Sequence, residues 1–309
     1  MSRPWQKLTA GEQWSGWWET GVAGVSPLPV LAARGVHDGP AVVVTGAVHG
    51  DEYEGPAAIH KFFREVDTTQ MHGLIIGLPV VNLSAWQARS RISPLDGVDL
   101  NQTFPGKSVA ANGKPSEGLA YALFHTFVHG CDVLVDLHSG GIKLQHLPMI
   151  GWYAGDALAE RLARGFGAPL HPWLMPNRAG VLSCEAHRAG KVAIGAEWGG
   201  GAGLDHAGVV AYTEGIRRLL TTLATPASQL FALDARQPIA GTYQLVEQGG
   251  LFVAAVTLGN RVAVGDSLGI LYNLLGEPVA TICAERSGLV AALAHNVLLA
   301  AGDRVVYLG

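Results

Sequence analysis

The sequence predicts an α/β fold with a mostly parallel or mixed sheet, followed by a smaller all-β region. From about residue 25 to about residue 225, short apolar runs alternate with helical patterns. This alternation is typical of strands and helices that take turns along an α/β chain. After Arg236, short β-type runs are separated by Gly-rich turns about ten residues apart. That spacing is typical of a small sandwich or half-barrel.

The elements of the first region follow from the period of their apolar residues. Short apolar runs bounded by turn residues predict strands, in chain order, at Leu28–Ala33, Ala41–Val48, Leu74–Val81, Val133–Leu137, Pro148–Tyr153 and Val192–Glu197. Longer segments with helical spacing predict helices at Gly55–Glu65, Glu117–His129, Gly155–Gly165, Ser183–Ala189 and Ala207–Leu223.

The change from alternating strand and helix patterns to short strands with Gly-rich turns predicts two domains. We expect residues 1–230 to form the α/β domain that carries the chemistry, and residues 236–309 to form the small β-sandwich or half-barrel domain. The segment Ala224–Gln237, with Pro226 near its start and Pro238 directly after it, is the expected linker. Gly-Asp turns of the second domain are similar to those of biotinyl or lipoyl carriers. However, no lysine follows Lys191, so a swinging-arm role is excluded.

Composition limits the classes of function. The chain has 309 residues, of which 49% are apolar and 15% charged, with a net charge of −4. This composition is typical of an ordered globular protein and gives no basic footprint for nucleic acid. No leader pattern or bilayer-length apolar stretch is present. Because the three cysteines are widely spaced and odd in number, we expect a reduced, cytoplasmic protein. From the net charge and the lack of long apolar stretches, we expect no nucleic-acid or membrane partner. Homo-oligomer formation stays open.

Two apolar runs end on residues that bind metals. The run Ala41–Val48 is followed by His49, with Glu52 three residues later, and the run Val133–Leu137 is followed by His138. In open α/β sheets, ligands bind at the carboxyl ends of strands. Two histidines and one glutamate leave the fourth tetrahedral position to water, as in a catalytic zinc site. The alternative for the first segment is a capped turn whose polar residues face water.

A third run supplies a candidate proton carrier. The strand Val192–Glu197 ends on a glutamate, which Trp198 and three glycines follow. A carboxylate at the tip of an apolar strand is costly to bury unless it serves a partner or a reaction. Glu197 is therefore the candidate general base, which would pass its proton to a leaving amine. The alternative is a salt-bridged glutamate of purely structural value.

A polar loop between the first two clusters adds a cation. It begins at Arg91 and contains Asn101 and Gln102 before a Pro-Gly turn. Hydrolysis of an amide builds negative charge on the carbonyl oxygen, which a fixed guanidinium stabilises. Arg91 is the candidate for that task, and Asn101 is the candidate for orienting the substrate. The alternative is a solvated loop held by Asx turns.

Together the three clusters resemble the succinylglutamate desuccinylase/aspartoacylase family of the zinc carboxypeptidase-like superfamily. The resemblance rests on His-Gly-Asp-Glu at residues 49–52, Asp-Leu-His-Ser-Gly-Gly at 136–141, Glu197 before its glycines, and the loop 94–101 with Arg91 upstream. It covers nearly the whole chain. Among the subgroups, members similar to N-acetyl-diaminobutyrate deacetylase are nearest.

The resemblance implies a zinc-carboxypeptidase-like mixed sheet flanked by helices, with a small C-terminal all-β domain. It also implies a zinc-dependent amidohydrolase that cleaves an N-acyl amide of a small amine or amino acid by metal-activated water. Zn²⁺ would be bound by His49, Glu52 and His138. The alternatives are a non-catalytic metal- or ligand-binding module on the same fold, and an acylase or carboxypeptidase for acidic substrates.

One position departs from the family pattern. The family has arginine after Asp-Leu-Asn, where it helps to hold a substrate carboxylate, whereas this chain has Gln102. Glutamine cannot offer a charged bidentate fork. We therefore expect a neutral or cationic substrate group at Gln102, or a carboxylate held by another arginine, for which Arg89, Arg178 and Arg188 are candidates. Trp198 would add an apolar wall to the substrate site, or else belongs to the core.

Overall fold

A computed structural model describes residues 3–108, 113–225 and 233–309 of the chain. The strands are β1 Gln13–Trp18, β2 Leu28–Arg34, β3 His37–Thr45, β4 His72–Leu78, β5 Val133–Ser139, β6 Leu144–Trp152, β7 His171–Leu174, β8 Val192–Gly200, β9 Thr242–Leu245, β10 Gly250–Ala254, β11 Arg261–Val262, β12 Ser267–Tyr272, β13 Pro278–Cys283, β14 Gly288–Ala294, β15 Leu298–Leu299 and β16 Arg304–Leu308.

The α-helices are α1 Glu54–Glu65, α2 Leu83–Ala88, α3 Pro115–Leu123, α4 Ala157–Phe166, α5 Leu182–Arg188 and α6 His206–Ala224. Short 3₁₀ turns occur at Pro4–Lys7, Thr68–Gln70 and Leu100–Gln102. The predicted helix Glu117–His129 is divided, because α3 continues into one π-helical turn at Phe124–Val128. The described helices include none with both the length and the apolar character that a bilayer crossing requires.

The strands form a large mixed sheet and a separate antiparallel sheet, which confirms the predicted fold class. The large sheet has the order β1-β2-β4-β3-β5-β8-β6-β14-β16-β9, with β7 on β6 and β11 on β14. The separate sheet has the order β13-β12-β10-β15. The first sheet is parallel from β4 through β3 and β5 to β8. The outer strands pair antiparallel, except β7, which is parallel to β6.

The central strands are buried on both faces, as their continuous apolar runs predict. Val43 and Leu134 belong to the core on one face of the sheet. Their neighbours along the chain, Val44 and Val135, belong to the core on the other face, where α1, α4 and α6 pack. The two-residue period of a strand thus gives each face its own core. A rigid central sheet of this kind fixes the positions of the strand tips.

The C-terminal strands do not all lie in the separate sheet. β14 pairs with β6, Ala292 opposite His146, and β16 and β9 continue the large sheet beyond β14. The region after Arg236 therefore has the predicted all-β texture but contributes to both sheets. Residues 226–232 of the expected linker lie outside the described residues. The division into residues 1–230 and 236–309 stays a prediction.

Candidate metal and catalytic site

The candidate ligands lie at neighbouring strand ends. Thr45, the last residue of β3, is opposite Asp136 of β5, and His138 of β5 is opposite Glu197 of β8. After β3 the chain does not enter a helix at once. A tight turn carries His49, and α1 begins only after Glu52. The strand predicted at Ala41–Val48 thus ends three residues earlier, at Thr45, and the turn that follows brings His49 and Glu52 over the strand ends.

The turn between β3 and α1 requires glycine at residue 50. A Cβ atom at Gly50 would lie 2.0 Å from the carbonyl carbon of Ala85 in α2. Such a contact is impossible without moving the backbone of α2. Gly50 therefore lets the turn lie directly on α2, which holds His49 and Glu52 on either side of it in a fixed position.

His49, Glu52 and His138 form one compact buried group. Nδ1 of His49 lies 2.7 Å from Oε1 of Glu52, and Nδ1 of His138 lies 2.9 Å from Oε2 of the same carboxylate. One potential ligand atom from each residue lies within 4.8 Å of the others. The structure therefore brings together the three residues that the sequence predicts as metal ligands.

The far sides of both imidazole rings face carboxylates. Nε2 of His49 lies 3.3 Å from Oδ1 of Asp99, and Nε2 of His138 lies 3.0 Å from Oδ2 of Asp136. A carboxylate behind a histidine fixes the ring and increases the basicity of the nitrogen that faces the metal. This arrangement, with two nitrogens and one carboxylate as donors, fits a zinc-like divalent ion.

The charges of the group stabilise one another. Burial opposes ionisation of Glu52, but the two histidines outweigh it and hold the pKa of Glu52 well below its usual range. Burial disfavours the charged form of His138, but Asp136 and Glu52 together raise the pKa of His138 well above its usual value. The cluster thus has a surplus of negative charge that attracts a cation, either protons or a metal ion.

Arg91 lies beside the trio. Its Nη1 atom is 3.6 Å from Oε1 of Glu52, and its Nε atom is 3.3 Å from Oδ2 of Asp99. The side-chain amide of Gln102 also donates to Oδ2 of Asp99, at 3.0 Å. Arg91 and Gln102 therefore hold Asp99 from one side while His49 contacts it from the other. Burial opposes the charge of Arg91, but these carboxylates raise its pKa, so the guanidinium stays charged.

Glu197 faces the same cleft as the trio. Burial raises the pKa of Glu197 to about 8, with the nearby negative charge of Glu52 adding to the effect and His138 opposing it. Its Oε2 atom is buried and makes no regular hydrogen bond to a described residue. A largely buried carboxylate with a raised pKa, aimed into a cleft, has the properties of a proton acceptor rather than of a salt-bridge anchor.

The remaining predicted site residues divide between the cleft and the core. Asn101 and Gln102 line the cleft, and Oδ1 of Asn101 accepts a hydrogen bond from the backbone of Leu182 at 2.9 Å. Trp198 follows Glu197 in β8 and therefore points to the opposite face of the sheet. There it packs in the core near α6 and donates to Asp205 at 2.8 Å. The structure thus matches the core interpretation of Trp198 and not the apolar wall.

Several cleft residues were not predicted. Arg304 and Tyr243 reach the cleft from the C-terminal strands β16 and β9, and His146 reaches it from β6. Of the arginines considered from sequence as a replacement at Gln102, Arg178 lines the cleft, whereas Arg188 pairs with Glu185. Residues this far apart in the chain carry no local pattern that connects them to the metal ligands.

The cleft has a cavity volume of about 130 Å³. The metal trio and Glu197 lie at its inner end, and Arg91, Arg178 and Arg304 also line a second, wider cavity that continues outward. A small substrate can therefore place one end at the trio and extend another polar group toward the arginines. The arrangement suits attack on a carbonyl group at the inner end of the cleft.

The sequence matches the model of the succinylglutamate desuccinylase/aspartoacylase catalytic domain over residues 38–223. It is 33% identical to the N-alpha-acetyl-L-2,4-diaminobutyric acid deacetylase of Halomonas elongata, over 92% of this chain and 86% of that protein. All three predicted ligands, Arg91 and Glu197 lie inside the matched range.

Solved structures of similar proteins superpose on nearly the whole of this chain. The product-bound ectoine utilization protein EutE (DoeB) from Ruegeria pomeroyi superposes with a TM-score of 0.85 at 29% identity, covering 97% of this chain and 95% of that chain. A succinylglutamate desuccinylase/aspartoacylase from Rhodobacter sphaeroides gives a TM-score of 0.83 at 28% identity, with 97% and 94% covered. These likenesses extend through the C-terminal β region as well as the α/β region.

Proposed function

The chain belongs to the succinylglutamate desuccinylase/aspartoacylase catalytic-domain family, as predicted from its motifs, and on this premise we propose that it is a zinc-dependent deacylase of N-acylated amino acids. The family supports deacylation at an amide bond. The observation that carries the finer proposal is that Glu197 faces the same cleft as His49, Glu52 and His138.

Each cleft residue has a role that follows from its position. When bound by His49, Glu52 and His138, a zinc ion would polarise the acyl carbonyl and activate the attacking water. Glu197 accepts a proton from the water and returns it to the leaving nitrogen. Arg91, charged and 3.6 Å from the Glu52 carboxylate, stabilises the negative charge that develops on the carbonyl oxygen.

The opposite end of the substrate meets the outer arginines. Neither Arg178 nor Arg304 forms a salt bridge with any carboxylate in the described part of the chain. Burial lowers the pKa of Arg304, and the nearby charges of Arg91 and Arg178 lower it further. A substrate carboxylate would relieve this repulsion and offer the guanidinium groups a bidentate partner. Gln102 therefore need not supply the charge that the family usually has at its position.

The relative from Halomonas elongata is named for an acetylated amino acid, which supports this substrate class. A non-catalytic binding module would need the trio but would gain nothing from a buried carboxylate beside it. Such a carboxylate is destabilising in the absence of a reaction or a partner. The position of Glu197 therefore favours an enzyme over that alternative.

The test is hydrolysis by the zinc-loaded protein of matched N-acetyl amino acids and their carboxamides, followed by the amine released. We expect the acids to have the higher kcat/KM, and we expect Arg178→Gln and Arg304→Gln to reduce that preference by about tenfold each. Arg188→Gln, at a surface pair with Glu185, is the matched control. Absence of turnover on every substrate would refute the proposed function.

A further inference from the structure

His146 is a buried histidine that the catalytic scheme above does not use. It is 4% exposed and lies in β6, next to the strand that carries Glu197. Its Nδ1 atom is 3.3 Å from Oε2 of Glu197, and its Nε2 atom is 2.9 Å from the hydroxyl of Tyr243. The imidazole ring therefore bridges the candidate base and a residue of the C-terminal strand β9.

In the contact between His146 and Glu197, two buried atoms that lack a hydrogen-bond partner among the described residues face each other. Nδ1 of His146 and Oε2 of Glu197 each make no regular hydrogen bond within residues 3–108, 113–225 and 233–309. Buried polar atoms are rarely left without a partner, and catalytic hydrogen bonds are often long before substrate binds. A small closure of the 3.3 Å separation would satisfy both atoms at once.

The protonation states of His146 and Tyr243 indicate which group donates each hydrogen bond at the His146 ring. Burial lowers the pKa of His146 to about 3, so the ring is neutral and carries one N–H group. Burial raises the pKa of Tyr243 above its usual value, so the hydroxyl keeps its proton and can donate it. If Tyr243 donates to Nε2, the ring proton must be on Nδ1, where it faces the carboxylate of Glu197.

Tyr243 is itself held firmly in place. The guanidinium carbon of Arg304 lies 4.3 Å from the centre of its ring, and the ring of Tyr307 meets it edge-on at 4.9 Å. Both neighbours belong to β16, which pairs with β9. The hydroxyl that orients His146 is therefore fixed by the C-terminal strands and not by the strands that carry the metal trio.

We propose that His146 and Tyr243 are positioning residues that hold one oxygen of Glu197 and leave the other free for proton transfer. The proposal rests on the proposed function, in which Glu197 takes a proton from water as the carbon–oxygen bond forms. It then gives that proton to the amide nitrogen as the carbon–nitrogen bond breaks, so that one amide and one water give one carboxylate and one amine. In this role both residues act through Glu197, because Tyr243 contacts His146 and His146 contacts Glu197.

A double-mutant cycle distinguishes this role from a structural one. We expect His146→Ala to lower kcat by about 10- to 100-fold, the usual scale for a residue that orients a reactive group, with KM and zinc content unchanged. In a Glu197→Gln background, the same substitution should leave the residual kcat unchanged. An equal loss of kcat in both backgrounds, or a loss of zinc from His146→Ala, would overturn the proposal.

Two milder variants guard against misfolding. His146→Asn places an amide N–H near the position of Nδ1 and should retain more kcat than His146→Ala. Tyr243→Phe removes only the hydroxyl and should lower kcat several-fold, whereas Tyr272→Phe, on a strand of the separate sheet, should not. If Tyr243→Phe has the wild-type kcat, the hydroxyl does not orient the base and the proposal fails.

A readout without turnover separates this proposal from the proposed function. The ¹⁵N resonances of the His146 ring show which nitrogen carries the proton. We expect Nδ1 to be protonated in the wild-type chain, and we expect Tyr243→Phe to shift that equilibrium toward Nε2. If the wild type hydrolyses no N-acyl substrate but shows this pattern, only the proposed function fails. If the wild type is active but carries the proton on Nε2, only the positioning role fails.

Discussion

Oδ2 of Asp136 lies 3.0 Å from Nε2 of His138, on the side of the ring opposite Glu52. The other oxygen of Asp136 accepts a hydrogen bond from Thr45 at 2.7 Å, so β3 and β5 jointly fix this carboxylate. The side chain is buried and does not face the cleft. Its position indicates that it orients His138 and does not take part in the reaction.

Asp136→Asn should therefore weaken zinc binding without abolishing it. The amide keeps the shape of the side chain but loses the charge behind His138, and such substitutions typically lower metal affinity by about 10- to 100-fold. Competition with a chelator of known zinc affinity measures the change. Asp132→Asn, in the loop before β5, is the control. Equal zinc affinity in the Asp136 variant and the wild type would show that the carboxylate has no such role.

The three predicted ligands should each be necessary. His49→Ala, Glu52→Ala and His138→Ala remove one donor each from a trio with no spare protein ligand among the described residues. We expect each variant to bind less zinc and to lose deacylase activity. Elemental analysis after dialysis gives the zinc content. Full occupancy in all three variants would show that the ion binds elsewhere.

Glu197→Gln should keep its zinc and lose about two to four orders of magnitude in kcat, the usual scale of general acid–base catalysis. The amide is isosteric but cannot accept the proton. A variant with nearly the wild-type kcat would make Glu197 structural. Asp51 and Glu54, which are both buried near the trio, would then be the next candidates.

The pH dependence of kcat/KM should show the ionisation of Glu197. Burial raises the pKa of Glu197 from 4.5 to about 8, and a cation bound by the trio would lower it again. Below this pKa the group is protonated and cannot act as a base. The kcat/KM of the wild type should therefore fall on the acid side, with a midpoint between those two values. The residual activity of Glu197→Gln should lack this limb.

Substrate choice should respond to residue 102. Gln102 donates to Asp99 and lines the cleft, so an arginine there would add a positive charge within reach of the substrate. Gln102→Arg should raise kcat/KM for a substrate with a second carboxylate, such as N-acetylaspartate, relative to its side-chain amide. The comparison is the ratio of kcat/KM for this matched pair in both proteins. A wild type that already prefers the diacid by a wide margin would contradict this assignment.

The sequence predicts the centre of the molecule better than its margins. The runs that become β3, β5 and β8 are continuous and apolar because they are buried on both faces, so each can be recognised locally. The metal trio, Arg91 and Glu197 follow directly from the ends of those runs and from the loop between them. The structure brings these five residues to one cleft.

The unpredicted parts depend on pairing between distant segments. Gly-rich turns identify the strands after Arg236, but the sequence pattern of a strand does not specify the strand with which it pairs. The pairing of β14 with β6 therefore has no local signal in the sequence. For the same reason Tyr243 and Arg304 could not be placed in the cleft. Trp198 was ambiguous because only the face of β8 on which it lies decides between core and cleft.

The pairing of β14 with β6 also affects how the protein tolerates truncation. A chain that ends near Thr225 would lack β9, β14 and β16. It would leave the Leu144–His146 part of β6 as an unpaired sheet edge, because β7 covers only Met149–Trp152. Such an edge offers free N–H and C=O groups to other chains and promotes aggregation. We therefore expect residues 1–225, which keep β1 and β2 but lack the strands after Arg236, to be less soluble than the whole chain.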